Sequence, residues 1–329
     1  MCIQPKCSLW SVEAVLVFRY LQMVPTILQL TNVRCNSHDL CVGYFKVSCQ
    51  EVHTIPNLSW PVAGIALLKD RLYVSHHGYP RITIYCPLTF QYQQYLNCYC
   101  PSCKRQTDIL QCNCCSQKHT TTLHHLGLVA CDTNNCLYGS LYDSYYGHYI
   151  FKVAIGQNNT LSVWSLCAQG LSITSSHNLI VSLNSNYLME YSPDGKQIRQ
   201  ISLQPAGITT ALHCVQLSND QLGVTYSNPK HQFSIVSSDG QHLVQSYGGD
   251  AGYLKGPQGI AVDQPGRIFV ADQNNNRILV MDSKTLSAYP LELPTNCELK
   301  GPYSLHYDAA SNRLYIGEYN GARIVCCQL

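Results

Sequence analysis

Residues 256–282 read GPQGIAVDQPGRIFVADQNNNRILVMD, a stretch made of three short apolar runs separated by turn residues. The first two runs are separated by residues 264–266 (QPG) and the last two by residues 273–276 (QNNN). Short runs rich in Val and Ile and bounded by Pro, Gly and Asn are typical of antiparallel strands joined by tight turns. Since no helix fits between the runs, the stretch predicts one small antiparallel sheet.

The same pattern recurs along the chain. Clear copies occupy residues 61–85 and 301–326, and weaker copies occupy residues 127–153, 171–191 and 214–236. Equivalent positions near residues 64, 127, 171, 214, 259 and 304 give intervals of 63, 44, 43, 45 and 45 residues. A repeat of about 40 to 45 residues with several strands per unit is typical of β-propeller blades. We therefore predict an all-β, six-bladed β-propeller of four-stranded antiparallel blades, one of which is followed by an insertion.

These repeats resemble a known family. The pattern Gly-Pro-x-Gly-Ile-Ala-Val-Asp, followed by Ile-Phe-Val-Ala-Asp and Asn-x-Arg-Ile-x-Val, is similar to the NHL repeat, which builds six-bladed propellers. The resemblance is carried by residues 256–282, 301–326 and 61–85, whereas in residues 127–236 it rests on period and strand pattern. The wider six-bladed group contains lactonase-like and amidating-lyase-like enzymes as well as binding modules. The resemblance therefore implies the fold more than the function.

The predicted propeller spans residues 44–327. Its sixth repeat ends at Cys327 with no outer strand, so we expect residues 44–52 to pair with residues 323–327 and close the ring, which removes an exposed sheet edge. Residues 1–43 are predicted to be a poorly defined extension, and no membrane span is expected in the apolar stretch 8–30 because charged residues and Pro25 interrupt it. The predicted blade cores are residues 61–96, 127–153, 171–201, 212–247, 256–291 and 301–327.

Composition narrows the classes of partner. The chain has a formal net charge of +2 and only 12% charged residues, so no global electrostatic field favours nucleic acid or membranes. Nineteen cysteines are many for a cytosolic protein, yet an odd number cannot all pair in disulfides. Composition therefore leaves the compartment open between the slightly favoured cytosol and secretion, and we expect a monomer.

An insertion at residues 97–125 is rich in Cys and His. The spacing of Cys100, Cys103, Cys112 and Cys114 provides the thiolates that a tetrahedral zinc site needs. Disulfides or unliganded reduced thiols explain the same residues. In either case the predicted role is structural, and no other cofactor is expected.

Charged pairs and histidines provide the candidates for catalysis. Asp272 with Arg277 recurs in the next repeat as Glu318 with Arg323, and this recurrence indicates bonds across a hairpin in each blade rather than an active site. His213 and His306, both on predicted inner strands, have no carboxylate at matching positions. We therefore predict no catalytic residues, with a metal-dependent lactonase-like or lyase-like hydrolase as the alternative.

The predicted function is a non-enzymatic interaction platform that binds a protein partner through the loops between the middle strands of each blade. Tyr, His and Asn in these loops provide contact area and adaptable hydrogen bonds. A single-stranded RNA, the ligand of some NHL propellers in ubiquitin-ligase-type proteins, is the alternative partner, although Lys and Arg are sparse there. The candidate residues are His76, His77, Tyr79, Tyr142, Tyr145, Tyr146, His148, Asn228, Lys230, His231, Asn274, Asn275, Tyr319 and Asn320.

Overall fold

The computed structural model describes residues 47–100, 105–107, 123–131, 134–143, 147–156, 159–165, 168–228, 230–249 and 253–329. These residues form six β-sheets, five of four strands and one of six. The helical structure in these ranges is a single 3₁₀ turn at Gln273–Asn275. The predicted all-β, six-bladed propeller with four-stranded antiparallel blades is therefore confirmed. No helix within these ranges has the length and apolar character needed to cross a membrane.

The strands follow one another with few residues between them. Strand β1 is Glu51–Ile55, and blade 1 contains β2 (Val62–Leu68), β3 (Arg71–His76), β4 (Tyr79–Tyr85) and β5 (Tyr92–Tyr95). Strands β6 (Cys98–Cys100) and β7 (Arg105–Thr107) precede blade 2, which contains β8 (Leu123–Cys131), β9 (Cys136–Asp143), β10 (Gly147–Ala154) and β11 (Thr160–Ser165). Blade 3 contains β12 (Gly170–Ile173), β13 (Leu179–Ser182), β14 (Tyr187–Tyr191) and β15 (Gln197–Ser202).

The second half of the ring has the same organisation. Blade 4 contains β16 (Ala211–Gln216), β17 (Leu222–Tyr226), β18 (Gln232–Val236) and β19 (Leu243–Gly248). Blade 5 contains β20 (Pro257–Val262), β21 (Arg267–Asp272), β22 (Arg277–Asp282) and β23 (Ala288–Pro290). Blade 6 contains β24 (Pro302–Asp308), β25 (Arg313–Glu318) and β26 (Ile324–Gln328).

The fourth strand of blade 6 comes from the other end of the chain. Strand β1 pairs antiparallel with β26, from Glu51 opposite Gln328 to Ile55 opposite Ile324. An N-terminal strand therefore closes the ring as predicted, but it lies later than the predicted residues 44–52.

The shift of the closing strand has a packing cause. Val47 and Cys49 are buried in one apolar cluster with Leu291 and Leu299 of the blade 5 region. The backbone N–H of Cys49 donates to the carbonyl of Glu292 at 2.8 Å. Because these contacts hold residues 47–49 against blade 5, the ladder with β26 begins only at Glu51.

The middle strands of the blades carry the largest buried side chains. Tyr73, Phe151, Phe233, Phe269 and Tyr315 are all fully buried. Burial of each such ring contributes about 1.5–3 kcal/mol, so the contacts between neighbouring blades hold the ring together.

Part of the cysteine-rich insertion extends a sheet. Strands β6 and β7 form a hairpin, and Tyr99 of β6 pairs parallel with Thr160 of β11, so the sheet of blade 2 has six strands. The predicted insertion is thus not a simple loop in its described part. The side chain of Cys100 and the residues Cys103, Cys112 and Cys114 lie outside what the structure describes, so the zinc or disulfide site stays a prediction.

Candidate functional site

The predicted loop face contains two kinds of residue, those that hold the loops together and those that line an open surface. Tyr145 and Tyr146 lie outside the described residues, as do the side chains of Tyr142 and His148. The structure therefore places ten of the fourteen candidates. They are His76, His77, Tyr79, Asn228, Lys230, His231, Asn274, Asn275, Tyr319 and Asn320.

In blade 5, the acidic residue that ends β21 is a structural clamp. The Asp272 carboxylate is fully buried and accepts hydrogen bonds from the backbone N–H of Lys255 (2.7 Å), from Arg277 Nε (2.7 Å) and from Asn275 Nδ2 (2.8 Å). Arg277 also donates to the carbonyl of Tyr253. The pair predicted to bond across the hairpin does so, and Asn275 of the predicted face belongs to this clamp.

Blade 6 repeats the clamp. Glu318 is fully buried and accepts from the backbone N–H of Lys300 at 2.8 Å and from Arg323 Nε at 2.6 Å. Arg323 donates in addition to the carbonyl of Glu298, and its hydrogen bond to Glu318 raises the pKa of its guanidinium. The same contacts at the same places in two blades identify this arrangement as part of the repeat itself.

The residue before the third strand of a blade ties that blade to the next one. His231 Nδ1 accepts a hydrogen bond from the backbone N–H of Gly256 at 3.3 Å. In the following blade, Asn276 Oδ1 accepts from the backbone N–H of Gly301 at 2.7 Å. His231, predicted as a partner contact, therefore has a structural role.

Three aromatic rings join blade 1 to blade 6. His77 packs edge-on against Tyr303 and Tyr319, with centroids 5.1 Å and 4.9 Å apart, and the two tyrosine rings are 5.8 Å from each other. Burial raises the pKa of Tyr303 to about 12, whereas Tyr319 remains 38% exposed. Two of the predicted face residues, His77 and Tyr319, thus pack against each other at this junction.

An open aromatic surface lies beside this junction, on blade 1. It surrounds a cavity of about 400 Å³, which we call the aromatic cleft. One wall is the linker between the closing strand β1 and strand β2, and the other walls come from β3, β4 and β5. The lining residues are Asn57, Leu58, Ser59, Trp60, His76, Tyr79, Thr83, Tyr85, Tyr92 and Tyr95.

Five rings in the cleft form a continuous row. Trp60 stacks on Tyr79 with centroids 5.9 Å apart and an interplanar angle of 16°. Tyr79 is 6.2 Å from Tyr95, Tyr95 is 5.5 Å from Tyr92, and Tyr92 is 6.1 Å from Tyr85. Trp60 is 43% exposed and Tyr92 is 52% exposed, so the row offers ring surface to a ligand.

A buried histidine fixes one wall of the cleft. His76 Nδ1 lies 3.3 Å from the carbonyl oxygen of Trp60, and Nε2 lies 3.0 Å from Thr83 Oγ1. Burial lowers the pKa of His76 to about 4, so the ring is neutral at pH 7 and carries a single N–H. Because the Trp60 carbonyl can only accept, we assign that proton to Nδ1, and Nε2 then faces the Thr83 hydroxyl, which also lies 3.2 Å from the carbonyl of Val74. His76 thereby holds the backbone of Trp60 in place.

One cationic side chain lies beside the cleft. The Arg81 guanidinium lies 4.9 Å from the centroid of the Tyr95 ring, in a cation–π contact. The ten lining residues include no Asp, Glu, Lys or Arg. The cleft therefore favours neutral or acidic ligands over cationic ones.

Sequence reasoning found only part of this cleft. His76 and Tyr79 were predicted to be partner contacts, whereas Trp60, Tyr92 and Tyr95 were not. The signal that was missed is the tyrosine-rich segment 83–95, which reads TIYCPLTFQYQQY.

The central channel is narrow. Inner strands of all six blades line a space of about 50 Å³, and several of the lining residues, such as Gly64, Gly170 and Gly259, are glycines. The channel also contains His213, whose Nε2 donates to the carbonyl of Leu171 at 3.1 Å.

The two candidate catalytic histidines are neutral at pH 7. Burial lowers the pKa of both His213 and His306 to about 4. No carboxylate is hydrogen-bonded to either ring in the described ranges, and no group of three or more potential metal ligands occurs there. In the described residues, these imidazoles therefore lack the partners of an acid–base pair.

Comparison with known proteins agrees with this geometry. The NHL repeat family model matches residues 254–281, which cover most of blade 5. The chain is a six-bladed β-propeller that carries an NHL repeat. A comparison with curated protein sequences gives no significant match.

Solved structures show the same fold at low sequence identity. A virginiamycin B lyase from Staphylococcus aureus is 11% identical with a TM-score of 0.54, over 85% of this chain and 99% of that one. A streptogramin B lyase is 12% identical with a TM-score of 0.55, over 84% and 97%. The WD40 β-propeller domain of Doa1 is 10% identical with a TM-score of 0.51, over 83% and 94%. At these identities the likeness extends to the fold alone, since one propeller scaffold hosts unrelated functions.

Proposed function

We propose that this NHL-repeat propeller is a non-enzymatic binding module that captures an extended, proline-rich segment of a partner protein in the aromatic cleft. The observation that carries the proposal is the row of five rings around an open cavity of about 400 Å³, with Trp60 and Tyr92 exposed at its rim. Neighbouring tilted rings leave slots into which flat proline rings fit. Proline-rich segments already adopt the polyproline II helix in solution, so docking them on aromatic grooves costs little conformational entropy.

The charge beside the cleft limits which proline-rich sequences can bind there. Arg81 beside Tyr95 repels cationic ligands, and a quaternary ammonium or methylated lysine would find no carboxylate among the lining residues. An acidic residue next to the prolines gains a favourable interaction with Arg81. We therefore expect a neutral or acidic proline-rich sequence.

RNA is a weaker candidate for this cleft. Single-stranded nucleic acid requires stacking rings along a positively charged groove that follows the phosphates. The rings are present, but no Lys or Arg is among the ten lining residues. Catalysis is also less well supported, because His213 and His306 are neutral and lack carboxylate partners in the described ranges.

A direct test uses a fluorescein-labelled peptide of ten prolines flanked by two aspartates, titrated with the full chain and followed by fluorescence anisotropy. We expect Trp60→Ala and Tyr92→Ala each to weaken binding about tenfold or more, since truncating an aromatic anchor costs at least about 1.4 kcal/mol. Tyr253→Ala is the matched control, because Tyr253 is 59% exposed but does not line the cleft.

Two results would overturn the proposal. One is peptide binding that is absent from the full chain or unaffected by both cleft variants. The other is tighter binding of a labelled oligouridine that depends on the same two residues, which would assign the cleft to RNA. Far-UV circular dichroism of each variant checks that the propeller remains folded.

A further inference from the structure

The linker between the closing strand β1 and strand β2 carries a modification motif that the proposed binding function does not use. Residues 57–59 read Asn-Leu-Ser, which fits the acceptor pattern for N-linked glycosylation, Asn-x-Ser/Thr with x other than Pro. Such a triplet also arises by chance, so its meaning depends on where the fold places it. An N-linked glycan is bulky and hydrated, and a folded protein can carry one only on a side chain that faces solvent.

The fold leaves this asparagine open to solvent. The motif lies between β1 and β2, outside the sheets, and Asn57 and Ser59 are both exposed. Within the described ranges the Asn57 amide takes part in no hydrogen bond, whereas Asn275 and Asn312 use their amides to hold the fold together. Asn57 is therefore free to carry a substituent on its amide nitrogen without loss of a structural contact.

The backbone around the motif is held in one position. Asn57 has a positive φ of 55°, in the left-handed region that asparagine tolerates better than most residues. The next residue, Leu58, donates its N–H to the carbonyl of Ala322 at 2.9 Å. On the other side of the motif, the carbonyl oxygen of Trp60 lies 3.3 Å from His76 Nδ1. A glycan on Asn57 therefore starts from a fixed point beside the cleft.

The motif is also part of the aromatic cleft. Residues 57–59 form one wall, and Trp60, which follows directly, is 43% exposed. The first sugar of an N-linked glycan is N-acetylglucosamine, and one such ring is smaller than the cavity of about 400 Å³. Pyranose rings have an apolar C–H face that packs on exposed aromatic rings, which offer a large apolar surface. The glycan and a peptide ligand therefore compete for the same ring surface.

We propose that Asn57 is an N-glycosylation site and that its glycan covers the aromatic cleft. In the reaction, Asn57 Nδ2 attacks the anomeric carbon of an oligosaccharide carried on a lipid diphosphate. The N–C bond forms, the bond between that carbon and the phosphate oxygen breaks, the lipid diphosphate leaves, and the amide nitrogen gives up one proton. No group is oxidised or reduced.

The modification separates two forms of the chain. Transfer from a lipid-linked donor takes place in the secretory pathway, so the cleft is open in a chain made in the cytosol and covered in a chain that is secreted. The effect on peptide capture rests on the proposed function. The site itself and the covering of Trp60 do not.

The site is tested on the full chain, produced in mammalian cells behind a cleavable secretory leader. Asn57 and Trp60 lie in one tryptic peptide, 47–69, so mass spectrometry of this peptide reports the glycan directly. We expect a glycan in the wild type and in Ser59→Thr, which keeps the motif. We expect none in Ser59→Ala, which destroys the motif but leaves Asn57 unchanged. The other matching triplet, residues 158–160, falls in peptide 153–196 and is scored separately.

The covering of the cleft is tested without a peptide ligand. Hydroxyl-radical oxidation of Trp60, measured in the same tryptic peptide, should be several times slower in the glycosylated chain than in a chain made in bacteria. A chain trimmed by endoglycosidase to a single N-acetylglucosamine should stay protected, because the first sugar is the one that lies beside Trp60. The glycosylated chain should also bind the labelled proline peptide about tenfold or more weakly, as loss of the Trp60 anchor does.

The outcomes separate this inference from the proposed function. An unmodified peptide 47–69 in the secreted wild type refutes the site. A glycan that leaves Trp60 as reactive as in the bacterial chain refutes the covering, and so does peptide binding that the glycan does not change. If even the bacterial chain fails to bind the proline peptide, the proposed function fails, while glycan occupancy and Trp60 oxidation still decide this inference.

Discussion

Replacing Glu318 with alanine tests whether the clamp at the end of β25 is structural. The buried carboxylate accepts hydrogen bonds from the backbone N–H of Lys300 at 2.8 Å and from Arg323 at 2.6 and 3.0 Å. Removing it leaves the Lys300 N–H and one face of the Arg323 guanidinium without an acceptor. Breaking a buried ion pair by removing one partner costs about 3–5 kcal/mol.

Two details of the site place Glu318→Ala at the lower end of that range. The Arg323 side chain is 23% exposed and so can gain hydrogen bonds to water, and it keeps its bond to the carbonyl of Glu298. We therefore expect a loss of about 3 kcal/mol in the free energy of unfolding. Glu318→Gln keeps the shape and one acceptor oxygen, so its cost should be about 1–2 kcal/mol.

Urea unfolding followed by circular dichroism measures both variants. Asp239→Ala is the control, because this exposed carboxylate bonds only within its own turn, to Ser237 and Gln241, and its loss should change stability by less than about 0.5 kcal/mol. A Glu318→Ala protein within about 1 kcal/mol of the wild type would refute the structural reading. So would a variant of unchanged stability that no longer binds the labelled proline peptide, because it would place Glu318 in a binding site.

Two further predictions concern pH and the closing strand. Burial lowers the pKa values of His76, His213 and His306 to about 4, whereas unfolded histidine titrates near about 6.5, so the unfolded chain binds more protons between these values. The free energy of unfolding should therefore keep its full value above pH 6.5 and decrease as the pH drops toward 4, by at most about 3 kcal/mol per imidazole. Equal urea midpoints at pH 7 and pH 4.5 would contradict this prediction. Deleting residues 1–55 removes β1 and exposes the edge of β26. We expect this deletion to lower the free energy of unfolding, measured in urea, by more than about 5 kcal/mol, and to promote association, measured by gel filtration. Deleting only residues 1–46 keeps β1 and should leave the unfolding curve unchanged, and equal behaviour of the two deletions would argue against closure by this strand.

The repeat was predictable because its signals are local. In blade 5, alternating apolar residues and turn residues at 264–266 and 273–276 fix three strands within 27 residues, and the structure has them at β20, β21 and β22. The origin of the fourth strand of blade 6 was predictable from the repeat, since the other blades have four strands and the segment before the first repeat can supply one.

Features that depend on the closed ring were harder to predict. Val47 and Cys49 are as apolar as the residues of β1, so sequence alone could not show that they pack against Leu291 rather than pair with β26. The hairpin of β6 and β7 has no apolar alternation and pairs with blade 2 through Tyr99 and Thr160, which are 61 positions apart.

The candidate site illustrates the same limit. The aromatic cleft combines the linker 57–60 with strands that follow it, and Trp60 is held in the row by its stacking on Tyr79 and by the contact of its carbonyl with His76. The roles of His231 and Asn275 were also not predicted: His231 accepts from a backbone N–H of the next blade, and Asn275 donates to the buried carboxylate of Asp272.

The closing strand also positions the aromatic cleft. The linker that carries Trp60 into the cleft follows β1 almost directly. The Leu58 N–H in that linker donates to the carbonyl of Ala322 at 2.9 Å, two residues before β26 begins. The segment from β1 to Trp60 is therefore held to blade 6 twice, by the β1–β26 ladder and by Leu58. Because this ladder positions the linker that carries the indole, ring closure is the structural condition on which the cleft depends.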